Sequence, residues 1–278
     1  MHHTGIDCSI LNWSNAALAT DSFAGCSPMK EEHLRAIKNS PLTRKLSNFV
    51  ALTEVELAVL ARLHKRRRTF EAGCDLVHQG QSEQAAYILA SGWVFSYKTQ
   101  TDGSRQIVDF QIPGDFLGLR SVLLHTSDHS IEPIMEIQAI EVVVDDLLEA
   151  FAQTPRLATA ILWTVSRDEA MVVEHLVNIG RRDAGERMAH FLLELGVRLT
   201  QVGMANKTGY TCPLTQYHLA DALGLSAVHV NRVLRQLREK GLVTFQSGQV
   251  AFDDYDGLVT LAGFDPTYLD QAGPLLKQ

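Results

Sequence analysis

Cysteine is scarce: Cys8, Cys26, Cys74 and Cys212 are spread over 278 residues with no paired spacing of the metal-binding or redox type. No disulfide framework is implied, and the usage is that of reduced thiols. The first thirty residues lack a charged-then-apolar leader, and nowhere does the chain reach the roughly 18 to 20 uninterrupted apolar residues of a membrane span. A cytoplasmic protein with no membrane partner is expected. There is no Gly-rich phosphate loop, no nucleophile elbow and no compact His/Asp/Glu ligand set, so neither an enzyme nor a metal site is expected. An excess of positive charge is missing too: the net charge is -7. The chain as a whole is therefore no basic nucleic-acid binder, and charge has to be read locally. From Arg181 to Lys240 there are nine Lys or Arg against five Asp or Glu, so the acidity lies elsewhere.

What is present is ordinary globular material, 46% hydrophobic and 21% charged, long enough for two domains, two cores and a linking element. Residues 1 to about 28 have no sustained period and read as a poorly ordered arm, in which His2, His3, Cys8 and Cys26 match no common metal-site spacing. From Glu31 to Leu63 two helical patterns follow, the second opened by a capping box of Thr53 and Glu56. The texture then changes to short β-type runs, Phe70 to Val77, Ala86 to Leu89, Trp93 to Tyr97, Ile107 to Ile112 and Ile140 to Val144. Glycine turns punctuate them, the pattern of an antiparallel barrel or roll.

After Pro155 a helix pattern runs to Ile179, with Gly180 as its expected end. Ala158, Leu162, Val165, Val172, Leu176 and Ile179 form a heptad-like seam on about 24 residues, roughly 36 Å. This suits a homodimer, with Glu169 interrupting the seam; the alternative is a helix packed only on its own barrel. A further amphipathic helix is expected over Asp183 to Leu199.

The segment from Leu214 to Arg238 has the grammar of a helix-turn-helix. Thr215 caps a first helix with Leu219, Ala220 and Leu223 inside; Gly224 makes the turn; Ser226 caps a second helix. Val230, Val233, Leu234 and Leu237 supply the buried stripe of that helix. Its other face carries Ala227, Val228, Asn231, Arg232, Arg235 and Arg238, a polar and cationic surface fit for a major groove. Strand, turn and strand follow from Gly241 to Phe252 as a β wing. Double-stranded DNA is the expected partner.

In this order of parts the chain resembles the CRP/FNR family of bacterial transcription regulators, from about Pro41 to Phe252. The motifs are Phe70-x-x-Gly73-x-x-Leu76-Val77-x-x-Gly80, Tyr87-Ile-Leu-x-x-Gly92-x-Val94, Gly114-Asp-Phe-Leu-Gly118, and Arg181-Arg-Asp-Ala-Gly-Glu-Arg-Met-Ala-His-Phe-Leu. The resemblance implies an α+β fold: a cyclic-nucleotide-binding-like β-roll (jelly roll) over 41–154 after a leader at 1–40, a dimerisation helix over 155–180, a winged helix-turn-helix over 181–265 and a tail over 266–278. It also implies an allosteric homodimer on a palindromic operator, contact with RNA polymerase, and a small-molecule effector near Gly114, Phe116, Gly118, Leu119 and Arg120. Ser226 and His229 match family positions that contact phosphate, and Thr215 and Gln216 are further candidates for DNA contact.

Departures from the family pattern narrow the effector. Members that bind cyclic AMP place a Glu after the glycine matching Gly118, and later an Arg followed by Ser or Thr. Here Leu119 replaces the Glu, and His129-Ser-Ile-Glu-Pro133 offers no cation and adds a carboxylate. Two distant cysteines ahead of the barrel do not make an iron-sulfur pattern, and Cys74 with His78 reads as a core thiol beside a surface His rather than a haem ligand pair. No cofactor is expected. In the recognition helix Arg232 keeps the geometry for guanine O6 and N7, whereas Val228 stands where many members have Glu. Asn231 suits adenine, and Val228 a thymine methyl. The competing functional reading is a small-molecule-binding module that regulates a partner protein without touching DNA.

Overall fold

A computed structural model describes residues 31–82, 85–120, 124 and 126–269. Among the described residues three helices lead into the barrel: α1 (Glu31–Lys38), α2 (Pro41–Ser47) and α3 (Glu54–Leu63). Two were expected. Pro41 divides the first pattern, because it suits the first turn of a new helix whose N-cap, Ser40, accepts from the Thr43 N–H at 3.2 Å. The expected box opens α3: Thr53 Oγ1 accepts from Glu56 N–H, and the Glu56 carboxylate accepts from Thr53 N–H. The expected leader is thus helical from Glu31, while His2, His3, Cys8 and Cys26 lie outside the described residues.

Among the described residues the barrel has seven strands: β1 (Arg67–Phe70), β2 (Ala86–Ser91), β3 (Val94–Thr99), β4 (Arg105–Gln111), β5 (Phe116–Leu117), β6 (Ser130–Pro133) and β7 (Ile137–Val142). They pair antiparallel in two sheets, ordered β1-β7-β2-β5 and β4-β3-β6. Val77, Leu89, Val94, Leu117, Ile131 and Ile137 fill the space between. The run expected as a strand from Phe70 to Val77 is corrected: the strand ends at Phe70, and Gly73, at φ +77°, turns the chain away. Cys74 is therefore exposed on a turn and is no core thiol. The strand expected over Ile140 to Val144 stops at Val142, because α4 (Val144–Gln153) begins there, with Asp145 and Asp146 at its positive end.

The long helix α5 spans Pro155–Arg181. It continues through Gly180, the residue expected to end it, and closes where Arg182 becomes extended. The second domain contains α6 (Ala184–Gln201), β8 (Ala205–Asn206), β9 (Gly209–Thr211), α7 (Gln216–Leu223), α8 (Ala227–Glu239), β10 (Val243–Gln246), β11 (Gln249–Phe252) and α9 (Tyr255–Ala262). A 3-10 turn, Pro266–Leu269, follows; Leu269 is buried, so the expected tail begins as part of the core.

Two separate cores were expected, and the structure corrects this. Trp93, Phe95, Ile107 and Phe110 of the barrel share one apolar cluster with Phe191, Leu195, Leu219 and Val230 of the second domain. Beside it lies a buried charge network. Arg198, 1% exposed, donates to Asp109 at 2.9 Å, Asp115 at 3.0 Å and the Phe110 carbonyl at 2.8 Å. Lys45 meets Asp115 at 2.6 Å from the N-terminal side. Burial alone would raise the Asp115 carboxyl, but the two cations hold it down at about 2.

Candidate nucleic-acid interface

Helices α7 and α8 are built as their caps dictate. Thr215 accepts from His218 N–H at 3.3 Å, while the His218 ring accepts from Thr215 N–H at 3.2 Å, a capping box with His in place of the usual Glu. Gly224 takes the left-handed conformation, φ +64°, that a β-carbon would disfavour, and Ser226 accepts from His229 N–H at 3.2 Å. Val230, Val233 and Leu237 are buried, and Leu234 is half-buried. The opposite face is open: Ser226, Asn231, Arg232, Arg235 and Arg238 are exposed, Val228 is 81% exposed, and Ala227 and His229 are partly covered.

Thr215 and Gln216 stand exposed at the start of α7, as does Tyr217, whose side chain is 73% exposed. Tyr217 was not among the sequence candidates. Its signal was its position outside the Leu219, Ala220 and Leu223 stripe, where an aromatic ring has no packing role. The wing is the β10–β11 hairpin with Ser247 and Gly248, both at positive φ, in its two-residue turn. Strands β9 and β8 extend it to a four-stranded sheet.

The barrel holds this unit through α7. Arg105 Nε and Nη2 donate to Asp221 Oδ2 at 3.0 and 2.9 Å, and Gln106 Nε2 donates to the Ala222 carbonyl at 3.2 Å. The Arg105 guanidinium lies 4.8 Å from the Phe95 ring centre, and the same ring is 5.5 Å from His218. Burial first, then Arg105, pushes the His218 pKa down, which suits a ring that must accept in the capping box. Under the long helix, His175 Nε2 meets Glu194 Oε1 at 2.8 Å. Burial opposes charge on both, yet their attraction raises His175 to about 9 and lowers Glu194 to about 2.

The long helix has two faces. Leu157, Ala160, Ile161, Thr164, Arg167 and Met171 are buried against the protein, and Trp163 stacks on Phe49 at 4.7 Å. Five of the expected seam residues leave water-exposed apolar surface: Leu162 at 63%, Val165 at 38%, Val172 at 46%, Leu176 at 72% and Ile179 at 41%. Glu169 is exposed among them, and Val173 and Val177 widen the stripe. Packing on the barrel therefore uses a different face from the seam.

The five residues expected near an effector are dispersed. Gly114 sits so close to α2 that a β-carbon would lie 2.9 Å from the Pro41 backbone. Phe116 is buried in the cluster with Leu42, Ile88 and Ile140, against which Leu119 packs. Gly118 is buried, while Arg120 is exposed and 3.7 Å from Asp128. Among the described residues no helix is long and apolar enough to cross a membrane.

Two domain families match the chain: a cyclic nucleotide-binding domain over residues 67–154 and a Crp-like helix-turn-helix domain over residues 186–261. The nitrogen fixation regulation protein FixK of Azorhizobium caulinodans is 32% identical over 181 residues, covering 65% of this chain and 72% of that protein. The anaerobic regulatory protein of Haemophilus influenzae is 24% identical over 216 residues, 78% of this chain and 84% of the relative. Among solved structures, FixK2 from Bradyrhizobium japonicum aligns with a TM-score of 0.64 and 26% identity, over 72% of this chain and 98% of that one.

Proposed function

The chain belongs to the CRP/FNR family and is a DNA-binding transcription regulator of that type, and from that premise we propose that it binds a palindromic operator as a homodimer joined along α5. The observation that carries the reading is the recognition helix: its apolar stripe is buried and its polar, cationic face is left open. Arg232 reads a guanine, Asn231 an adenine and Val228 a thymine methyl. Ser226, His229, Thr215, Gln216 and Arg235 hold the phosphates, joined by Tyr217, and Ala227 packs at the helix start. RNA polymerase is the second partner in this proposal. A module acting without DNA would leave this open face and the wing unassigned.

The signal, in this reading, is neither cyclic AMP nor a bound iron-sulfur cluster or haem. Leu119 packs into the apolar cluster and brings no ribose acceptor. Glu132, its pKa raised by burial, stands where a cyclic phosphate would want a cation. Selection of bound sequences from random DNA, followed by mobility shift, tests the proposal. A palindromic consensus and a salt-sensitive shift are expected; no shift at any salt concentration would refute it.

A further inference from the structure

The box that opens α7 depends on an acceptor that titrates. His218 Nδ1 accepts the Thr215 N–H at 3.2 Å, and Thr215 Oγ1 accepts the His218 N–H at 3.3 Å. An imidazole nitrogen accepts only while it is bare, so this contact assigns the proton of the neutral ring to Nε2. The usual partner in such a box is Glu or Gln, which goes on accepting from about pH 5 to 8. Histidine is the side chain that changes charge in that range.

The same ring is where the barrel touches α7. Half-buried, it lies 5.5 Å from the Phe95 ring of β3, itself 1% exposed. Among the described residues two charged groups face it. From β4 comes Arg105, 4.8 Å from the centre of the Phe95 ring. From α7 itself comes Asp221, one turn on, whose Oδ2 already accepts two N–H groups of Arg105. Glu132 of β6 stands behind, 3.7 Å from Arg105. A proton on Nδ1 therefore meets a cation, a carboxylate already matched by that cation, and the positive end of a helix. It also replaces the acceptor of the Thr215 N–H by a second donor, which breaks the cap. Burial first and Arg105 second lower the pKa from 6.5, against Asp221. The cap is thus whole above 6.5 and is lost as the pH falls through the lowered value.

Thr215, Gln216 and Tyr217, beside the cap, are exposed, and the box fixes the turn that carries them. We propose that His218 is a positioning residue for DNA contact: its neutral ring, lying against Phe95 of the barrel, holds the first turn of α7 in its phosphate-binding geometry, and a proton on Nδ1 releases that turn. DNA affinity becomes acid-sensitive through one side chain at the barrel boundary. This rests on the reading of Thr215, Gln216 and Tyr217 as phosphate contacts.

Fluorescence anisotropy of the full-length protein with a random-sequence duplex tests it, because phosphate contacts need no operator. Affinities are measured at constant ionic strength from about pH 7.5 to about pH 5.5, the range in which histidine titrates. His218→Gln keeps an acceptor that does not titrate, and His229 of α8 is common to both proteins, so the ratio of their affinities isolates His218. Over that range the parent should lose about fivefold relative to His218→Gln, the scale of one helix cap. His218→Ala, checked for folding by circular dichroism, should bind more weakly than His218→Gln above the titration. Nitrogen NMR of histidine-labelled protein, with the His218 signals assigned by their loss in His218→Gln, should show Nδ1 bare at neutral pH. A ratio that stays flat while the parent binds the duplex overturns the proposal and leaves the DNA-binding reading standing, and so does a proton on Nδ1 at neutral pH. A duplex left unbound at every pH overturns both.

Discussion

Arg105 of the barrel and Asp221 of the helix-turn-helix, 116 positions apart, are joined by two hydrogen bonds onto a single carboxylate oxygen. Both side chains are about one-third exposed, at 30% and 32%, and the guanidinium also covers the Phe95 ring. This is a direct polar tie between the barrel and the helix-turn-helix. A partly desolvated, stacked ion pair of this type couples its partners by about 1 kcal/mol. Urea unfolding of Arg105→Ala, Asp221→Ala and the double variant measures it as a double-mutant cycle. Single losses that simply add would show that the tie carries no energy.

His175 and Glu194 set the pH range of the domain junction. His175 rises from 6.5 to about 9, so its contribution is full below 6.5 and is lost as pH climbs through about 9. Glu194 falls from 4.5 to about 2, so its contribution is present above 4.5 and is lost as pH drops toward 2. The pair is therefore complete between about 4.5 and 6.5. The wild-type urea midpoint should fall from pH 6.5 to 9, and His175→Gln should flatten that limb. Parallel profiles for the two proteins would place the titration elsewhere.

Much of this architecture was legible because local chemistry agrees with the fold. Thr53 with Glu56, Thr215, Gly224 and Ser226 mark helix ends through caps that neighbours in sequence complete, so no tertiary information was needed. The seam on α5 was visible because an unpartnered apolar stripe keeps its period. The junction was not legible. Arg198 resembles any helix-surface cation in sequence, and only the fold brings Asp109 and Asp115 to it. The merged core escaped for the same reason: Phe95 and Phe110 alternate as strand residues do, and nothing local says that their neighbours are Phe191 and His218. The Phe70 to Val77 run misled because its apolar residues lie on both sides of a turn that Gly73 makes.

The stripe on α5 predicts the assembly state. Val172→Asp with Leu176→Asp puts two carboxylates into the proposed dimer seam, where pairing would bury each without a counter-charge. Light scattering should then report a monomer of 30.8 kDa. A variant that stays dimeric would move the interface to another surface.

For the effector, calorimetry with cyclic AMP should show no binding in the micromolar range. In the proposed reading Leu119 stands in place of the ribose acceptor, and the stretch matched to the phosphate position holds His129, already 2.7 Å from Asp128, and Glu132. Tight binding would require a site built differently from the family pattern.

In the proposed reading of the operator, base reading and phosphate anchoring separate along α8. Arg232 lies in the N-terminal half of a helix that spans Ala227–Glu239, the part that enters the groove most deeply, whereas Arg235 is nearly one turn further on, 3.6 Å from Glu239. Arg232→Ala should cost about 1 to 3 kcal/mol on the preferred operator and flatten the preference at one guanine per half-site. Arg235→Ala should weaken all sequences alike and make the salt dependence shallower by roughly one unit per lost phosphate contact. Binding isotherms on the operator, on single-guanine variants and on random DNA, each at several salt concentrations, distinguish the two effects. If Arg232→Ala weakens operator and random DNA equally and leaves the base preference intact, Arg232 is a phosphate anchor. The reading role then passes to Asn231 and Val228, whose side chains share the same open face.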